Sequence, residues 1–346
     1  MRRWNTGEKE FLQALHQRMG TSGLSWRDDC IIKQINPGQC LVYSIDSLNR
    51  APSRNRANDT RSFGKWIASL IANDVIACGT APRGLALDIG LASFLDEDDF
   101  NLFIDGVMEV CSAYHMEYEG GNLNRGTFVG GMAWGISTPD SVIRRSGARN
   151  GSVLLATAHI GFGWAVELLH HYGYREESLL DDMLQSEIAQ FKDHPIIHLE
   201  AFREIWKLNV IECGMDLTDG IIEFGYEIYD RTGLGVIFSP SPIHRLVKTT
   251  ASILKIDPAC IMFEPGYDTP YSHGWCIPEG YIDQVCEILC RHQVPHTILG
   301  RVTDSVSGVF QKNGTRLKSL PRYWDDKLNT GSCFDQWKDN ILVRFG

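Results

Sequence analysis

The sequence predicts an α/β protein of two domains. Short β-branched apolar runs alternate with longer segments whose apolar residues recur every three to four positions. The 346 residues are enough for two ordinary domains with sizeable cores. The basic, turn-prone stretch RRSGARNG (144–151) separates a strand-rich first part from a helix-rich second part. The domains are therefore expected over 1–148 and 149–346.

In chain order, strands are expected at CIIKQI (30–35), CLVYSID (40–46), RGLALDIGL (83–91) and FVGGMAWGIS (128–137). Further strands are expected at SVLLATA (152–158), GLGVIFS (233–239) and HTILGRVTD (296–304). Helices are expected at 62–78, 97–114, 162–172, 179–191, 195–207, 220–231, 242–254 and 278–292. Pro195 and Pro242 suit a first helical turn, and Gly79 and Gly233 suit the position just past a helix end. The segment 50–62 carries Arg50, Arg54, Arg56 and Arg61. It reads as a solvated loop or, more sharply, as a flap that grips an anionic substrate.

Composition excludes several classes. Hydrophobic residues make up 43% and charged residues 22%, as in soluble globular proteins. No apolar run approaches the ~20 residues of a membrane span, and the start lacks the apolar segment of a signal peptide. The ten cysteines are scattered without a CxxC and read as reduced thiols of a cytoplasmic protein. A net charge of −10 argues against a nucleic-acid partner but leaves room for an anionic substrate held through a divalent metal. There is no GxxxxGK[ST], HExxH or GxSxG, and GFGWAV (161–166) lacks the third glycine of a dinucleotide fingerprint.

The acids carry the chemistry. Asp28 and Asp29 precede a strand, and Asp46 ends one. Asp74 falls on the apolar stripe of Phe63, Ile67, Leu70 and Ile71, where an unpaired carboxylate is costly. It needs a cation, a hydrogen-bond partner or a place at the wet end of the stripe. In CGMDLTDG (213–220), Asp216 and Asp219 flank the start of a helix. Capping by Thr218 or Asp219 accounts for one acid there, worth about 0.3–1 kcal/mol, but not for both. Two acids at one strand-to-helix turn suit a hard divalent cation.

With these acids in order, the chain resembles the superfamily of thiamine-monophosphate kinase and aminoimidazole ribonucleotide (AIR) synthase over about residues 22–305. The resemblance rests on RDDCII (27–32), VYSIDSL (42–48), ANDVIACGTAPRGLALDIGL (72–91), YEGGNLNRG (118–126), IRRSGARNGSVLLATAHIGFG (143–163) and GMDLTDGI (214–221). It implies a PurM-like two-domain α/β architecture, a homodimer formed through the N-terminal domains, and ATP held between the domains by magnesium. By the same resemblance the metal ligands are Asp28, Asp46, Asp74, Asn122, Asp216 and Asp219, with Asp74, Asp216 and Asp219 at the centre of catalysis. Gly121, Asn122, Arg145 and Thr218 become nucleotide contacts. The implied activity is phosphorylation of a small molecule, or its activation by phosphorylation.

The chain also departs from the family pattern. SWR (25–27) replaces glycines before the first acids, Ile45 stands where threonine is usual, and Asn122 replaces an aspartate. The segment PGYDTPYSHGW (265–275) has Tyr267 where the kinase has glutamate. Tyr267, Asp268, Tyr271 and His273 are candidate substrate contacts in this rewritten segment. The expected acceptor is therefore not thiamine monophosphate. An AIR-synthase-type ligase or cyclase and a catalytically reduced nucleotide-binding homologue are the alternatives.

Overall fold

A computed structural model describes residue 18 and residues 28–48, 59–171, 180–193, 198–239, 242–263 and 272–317. Residues 264–271 and 318–346, with Tyr267, Asp268 and Tyr271, and the loop arginines Arg50, Arg54 and Arg56, lie outside them.

The first sheet contains β1 (Ile31–Asn36), β2 (Gln39–Leu48), β3 (Pro82–Gly90), β4 (Glu117–Asn124) and β5 (Val129–Ser137), in the order β1-β2-β5-β3-β4. Neighbours are antiparallel except β3 and β4, which are parallel. Helices α1 (Thr60–Ala77) and α2 (Glu97–Tyr114) pack on one face. Each opens on an aspartate: Asp59 Oδ1 accepts from the Ser62 amide at 2.7 Å, and Asp96 Oδ1 from that of Asp99 at 2.8 Å.

The second sheet contains β6 (Val153–Ala156), β7 (Cys213–Asp216), β8 (Gly235–Phe238), β9 (His273–Ile277), β10 (Thr297–Thr303) and β11 (Val309–Gln311). Its order is β11-β8-β10-β6-β9-β7. The helices of this half are α3 (Phe162–His171), α4 (Asp182–Asp193), α5 (Leu199–Leu208), α6 (Ile221–Thr232), α7 (Arg245–Leu254), α8 (Pro258–Met262) and α9 (Ile282–Arg291). One apolar cluster joins α3, α6 and α7 to the sheet through Leu154, Phe224 and Val247. The other joins α5 and α9 to the N-terminal core through Phe202, Trp275 and Leu289. The two sheets thus share a continuous apolar seam, and the seam fixes the N-terminal acids against the C-terminal ones.

The expected strands and helices are present with shifted ends. Sequence reading missed β4, β7, β9, β11 and α8. β4 is Glu117–Asn124, EYEGGNLN, whose glycines and asparagines mask its strand character. β7 and β9 are too short and too continuously buried to show alternation. Pro242 precedes α7 instead of opening it; His244 is the cap, with its Nδ1 accepting from the Leu246 amide at 3.2 Å. Gly233 does end α6, at φ +72°.

Candidate metal and nucleotide site

The acids gather where α1 meets the end of β7. Asn73 and Asp74 lie on the last turn of α1, and Asp216 closes β7. Asn73 Nδ2 donates to Asp216 Oδ2 at 3.5 Å, tying α1 to β7. Asp74 Oδ2 accepts from the Ser44 hydroxyl at 2.5 Å, and Ser44 lies on β2 two residues before Asp46. Asp216 Oδ2 accepts from the Thr218 amide at 3.3 Å and from the Thr218 hydroxyl.

The start of α6 decides between capping and another role for Asp219. The cap residue is Gly220, at φ +83°, which has no side chain to cap with. Asp219 is buried and is not the cap. Its charge raises the Asp216 pKa, second only to burial.

The electrostatics are those of charges crowded together. Burial pushes the Asp74 carboxyl well above the usual range, and Asp216, Asp29 and Asp46 push it further. Burial also raises Asp29 to about 7, with Asp216 and Asp28 adding to the effect and Arg145 opposing it. Carboxylates that raise one another's pKa in a buried site share a need for positive charge.

Part of that charge comes from the segment between β5 and β6. Arg145 Nε donates to Asp29 Oδ1 at 2.7 Å, and the Arg145 amide to Asp28 Oδ1 at 3.0 Å. Arg144 Nη1 holds Asp28 Oδ2 at 3.1 Å. Arg231 joins Glu227 at 3.0 Å and lies 3.8 Å from Asp28. Burial works against the charge on Arg145, but Asp29, Asp216 and Glu227 outweigh it and keep it protonated. RRSGARNG is therefore more than a spacer. Its two leading arginines clamp Asp28 and Asp29, a role that the sequence did not show. Charged residues this deeply buried signal a network, but their partners lie more than a hundred residues away in the chain.

Two expected nucleotide contacts lie elsewhere. Asn122 Nδ2 donates to Asp88 Oδ1 at 3.0 Å, and Asn124 Nδ2 donates to the same oxygen at 2.8 Å. Asp46 and Leu87 both pair with Gly131, in the row facing Ile71 of α1, whereas Asp88 pairs with the next residue, Gly130. Alternation along a strand puts Asn122 and Asp88 on the opposite face of the sheet from Asp46. Gly121 is held at φ +146°, and a Cβ there would fall 1.7 Å from the Leu87 carbonyl oxygen. That glycine is required by the bulged β3–β4 pairing itself.

The donor set fits a hard divalent cation. Asp28 and Asp29 are bonded to arginines, and the oxygens of Asp46, Asp74, Asp216 and Asp219 are of the kind a hard cation takes. Among the described residues, no three histidine, cysteine or acidic side chains stand as a ready-made metal cage. Magnesium does not require one: it keeps several waters and is bound through one or two carboxylates plus substrate phosphates.

Residues 27–137 match the N-terminal domain of the AIR synthase related protein family. This match and the relatives that follow liken the chain to the AIR synthase and thiamine-monophosphate kinase superfamily. It is 23% identical over 202 residues to a thiamine-monophosphate kinase of Leptospira interrogans and 24% identical over 199 residues to that of Aquifex aeolicus. These matches cover 58% and 57% of this chain, and only 63% and 62% of the two kinases. A selenide, water dikinase of Dechloromonas aromatica is 26% identical over 144 residues, 41% of this chain and 40% of that protein. The likeness of fold extends further. The structure of AaThiL complexed with AMPPCP and TMP aligns with a TM-score of 0.74 at 20% identity, covering 92% of this chain and 97% of that one. Thiamine monophosphate kinase from Aquifex aeolicus aligns at 0.70 and 19%, covering 91% and 100%.

Proposed function

We propose that the protein is a magnesium-dependent enzyme that uses ATP to phosphorylate a small molecule, or to activate it by phosphorylation. One observation carries this reading: Asp74 and Asp216 converge from α1 and β7 as buried, mutually repelling carboxylates, and no basic group among the described residues is in hydrogen-bond contact with either. The kinases and dikinase to which the chain is similar, and the AMPPCP bound in the aligned structure, support it.

Asp46, Asp74, Asp216 and Asp219 would hold the metal, which supplies charge neutralisation for a triphosphate. Thr218 fixes one Asp216 oxygen, and Ser44 fixes one of Asp74. Arg145, beside Asp29 and 3.9 Å from Asp216, stands where phosphate charge would collect. Phosphoryl transfer asks for positioning and charge more than covalent chemistry, and these groups supply both. His273 is buried at the start of β9 instead of lining an open pocket. The acceptor is proposed to differ from thiamine monophosphate because the segment around Tyr267, Asp268 and Tyr271 departs from the kinase pattern. The deciding assay measures magnesium-dependent ADP release across acceptors that include thiamine monophosphate. Turnover requiring both magnesium and an acceptor is expected. No turnover with any acceptor overturns the reading. Nucleotide binding without turnover favours instead a catalytically reduced homologue, an outcome to which the arginine clamps on Asp28 and Asp29 lend weight.

The assembly is proposed to be a homodimer through the helix-free face of the first sheet. Ile31, Tyr43 and Ile45 share that face with Met132 and Trp134, and Ile45 is 70% exposed. An apolar sheet face of this kind marks an interaction surface. Size-exclusion chromatography with light scattering is expected to give twice the chain mass for the unaltered protein and the chain mass for Ile45→Glu. The same mass for both excludes this face. No helix among the described residues is long and apolar enough to cross a membrane. The nine described cysteines are free, which supports a reducing, cytoplasmic setting.

A further inference from the structure

Three buried polar atoms near Asp216 have no hydrogen-bond partner among the described residues: Asn73 Oδ1 and both ring nitrogens of His273. Both residues are 0% exposed. His273 sits directly opposite Asp216 in the β7–β9 register, so the two side chains leave the sheet on the same face. Its ring packs at right angles to Phe202, 5.1 Å between centroids, and stacks near Trp275 at 6.4 Å. The Asn73 carbonyl lies close enough to the ring to oppose the burial-driven fall of the His273 pKa to about 4, but not in hydrogen-bond geometry with either ring nitrogen. The ring is thus neutral, with one N–H to donate.

The chemistry of these groups is complementary. An ionised carboxylate only accepts, so the Asn73 amide must present its NH2 group to Asp216. That leaves Oδ1 as an acceptor beside a buried ring that has a donor to place. Leaving both unmade carries the desolvation cost of two buried polar groups, and such groups call for a reason.

We propose that His273 and Asn73 are positioning residues for Asp216: the His273 ring donates to Asn73 Oδ1, and Asn73 Nδ2 holds Asp216 Oδ2 in the orientation that meets a divalent cation. The metal-facing part rests on the function proposed above; the buried relay does not. Neither residue touches the nucleotide in this scheme. Groups that orient a metal ligand typically change metal affinity or activity by roughly 10–100-fold when removed.

The rival is that His273 is only a core aromatic between Phe202 and Trp275. His273→Phe separates the two, because it keeps the ring and removes both unpartnered nitrogens. Calorimetric titration with magnesium and AMPPCP is expected to show a roughly 10–100-fold weaker affinity for His273→Phe and Asn73→Ala in folded protein. His273→Gln, which retains an N–H donor, is expected to recover part of the loss and serves if the phenylalanine variant misfolds. Affinity unchanged in His273→Phe, with unfolding temperature unchanged or raised, overturns the proposal. A second arm uses the ligand-free protein, so that it reports even if the unaltered chain binds no nucleotide and the functional reading falls. Unfolding midpoints of Asn73→Ala, His273→Phe and the double variant should be non-additive, and additive midpoints overturn the relay.

Discussion

Replacing Asp74 or Asp216 by asparagine is expected to lower magnesium-dependent turnover by more than about 100-fold while leaving the unfolding temperature unchanged or higher. The loss follows if these carboxylates face the metal directly, since groups that merely support a ligand already cost roughly 10–100-fold. The stability change has the opposite sign from that of an ordinary buried acid. Asp74 is raised by burial and by three neighbouring acids, so ionising it in the ligand-free protein works against both. An amide keeps the acceptor for the Ser44 hydroxyl and removes the charge. Asp29→Asn is the internal contrast. It leaves Arg145 buried without the carboxylate that its Nε holds at 2.7 Å. Breaking such a pair costs about 3–5 kcal/mol. Thermal unfolding without divalent ions, set beside the turnover assay, reads both signs. A large fall in midpoint for Asp74→Asn, or retained turnover, would show that Asp74 is a structural acid.

This contrast between acids is the part of the site that the sequence did not show. Asp74 stood out because one carboxylate on the stripe of Ile67, Leu70 and Ile71 violates the period of its own helix. Asp216 and Asp219 stood out because a helix start has use for one acid. In both cases the anomaly is local, and neighbours along the chain define it. Which acids meet a cation and which meet arginine is set by contacts across the domain junction. No local pattern distinguishes Asp29, under Arg145, from Asp74, beside Ser44. Asn122 shows the same limit. The family resemblance put it in the metal cluster, but strand alternation turned it onto Asp88. The longer elements were legible because their amphipathic period is written in the sequence. β7 and β9, buried on both sides, have no period to read, and they carry Asp216 and His273.

The pH dependence of stability tests the same crowding without any assay of function. An acid whose folded pKa is raised binds an extra proton in the native state, so its contribution to stability is lost as pH rises through the folded value. Asp29 is raised from 3.8 to about 7, and Asp74 and Asp216 are raised as well. The buried histidines act in the opposite sense. His159 and His273 fall from 6.5 to about 4, so the unfolded chain binds their protons more tightly and stability rises between those values. The two effects oppose each other below about pH 6.5, and above it only the acids still titrate. Divalent-free protein is therefore expected to lose stability from pH 6.5 to 8, at up to about 1.4 kcal/mol per pH unit for each proton released. Asp74→Asn should flatten this slope, because it removes a titrating group and relieves its neighbours. Magnesium with AMPPCP should also oppose the slope. It competes with protons for the same oxygens and, at a hundredfold excess over its dissociation constant, contributes about 2.7 kcal/mol. If urea midpoints rise across that interval, or the two proteins keep parallel slopes, the carboxylates at the end of α1 and β7 do not share a charge problem and have no need of a metal to resolve it.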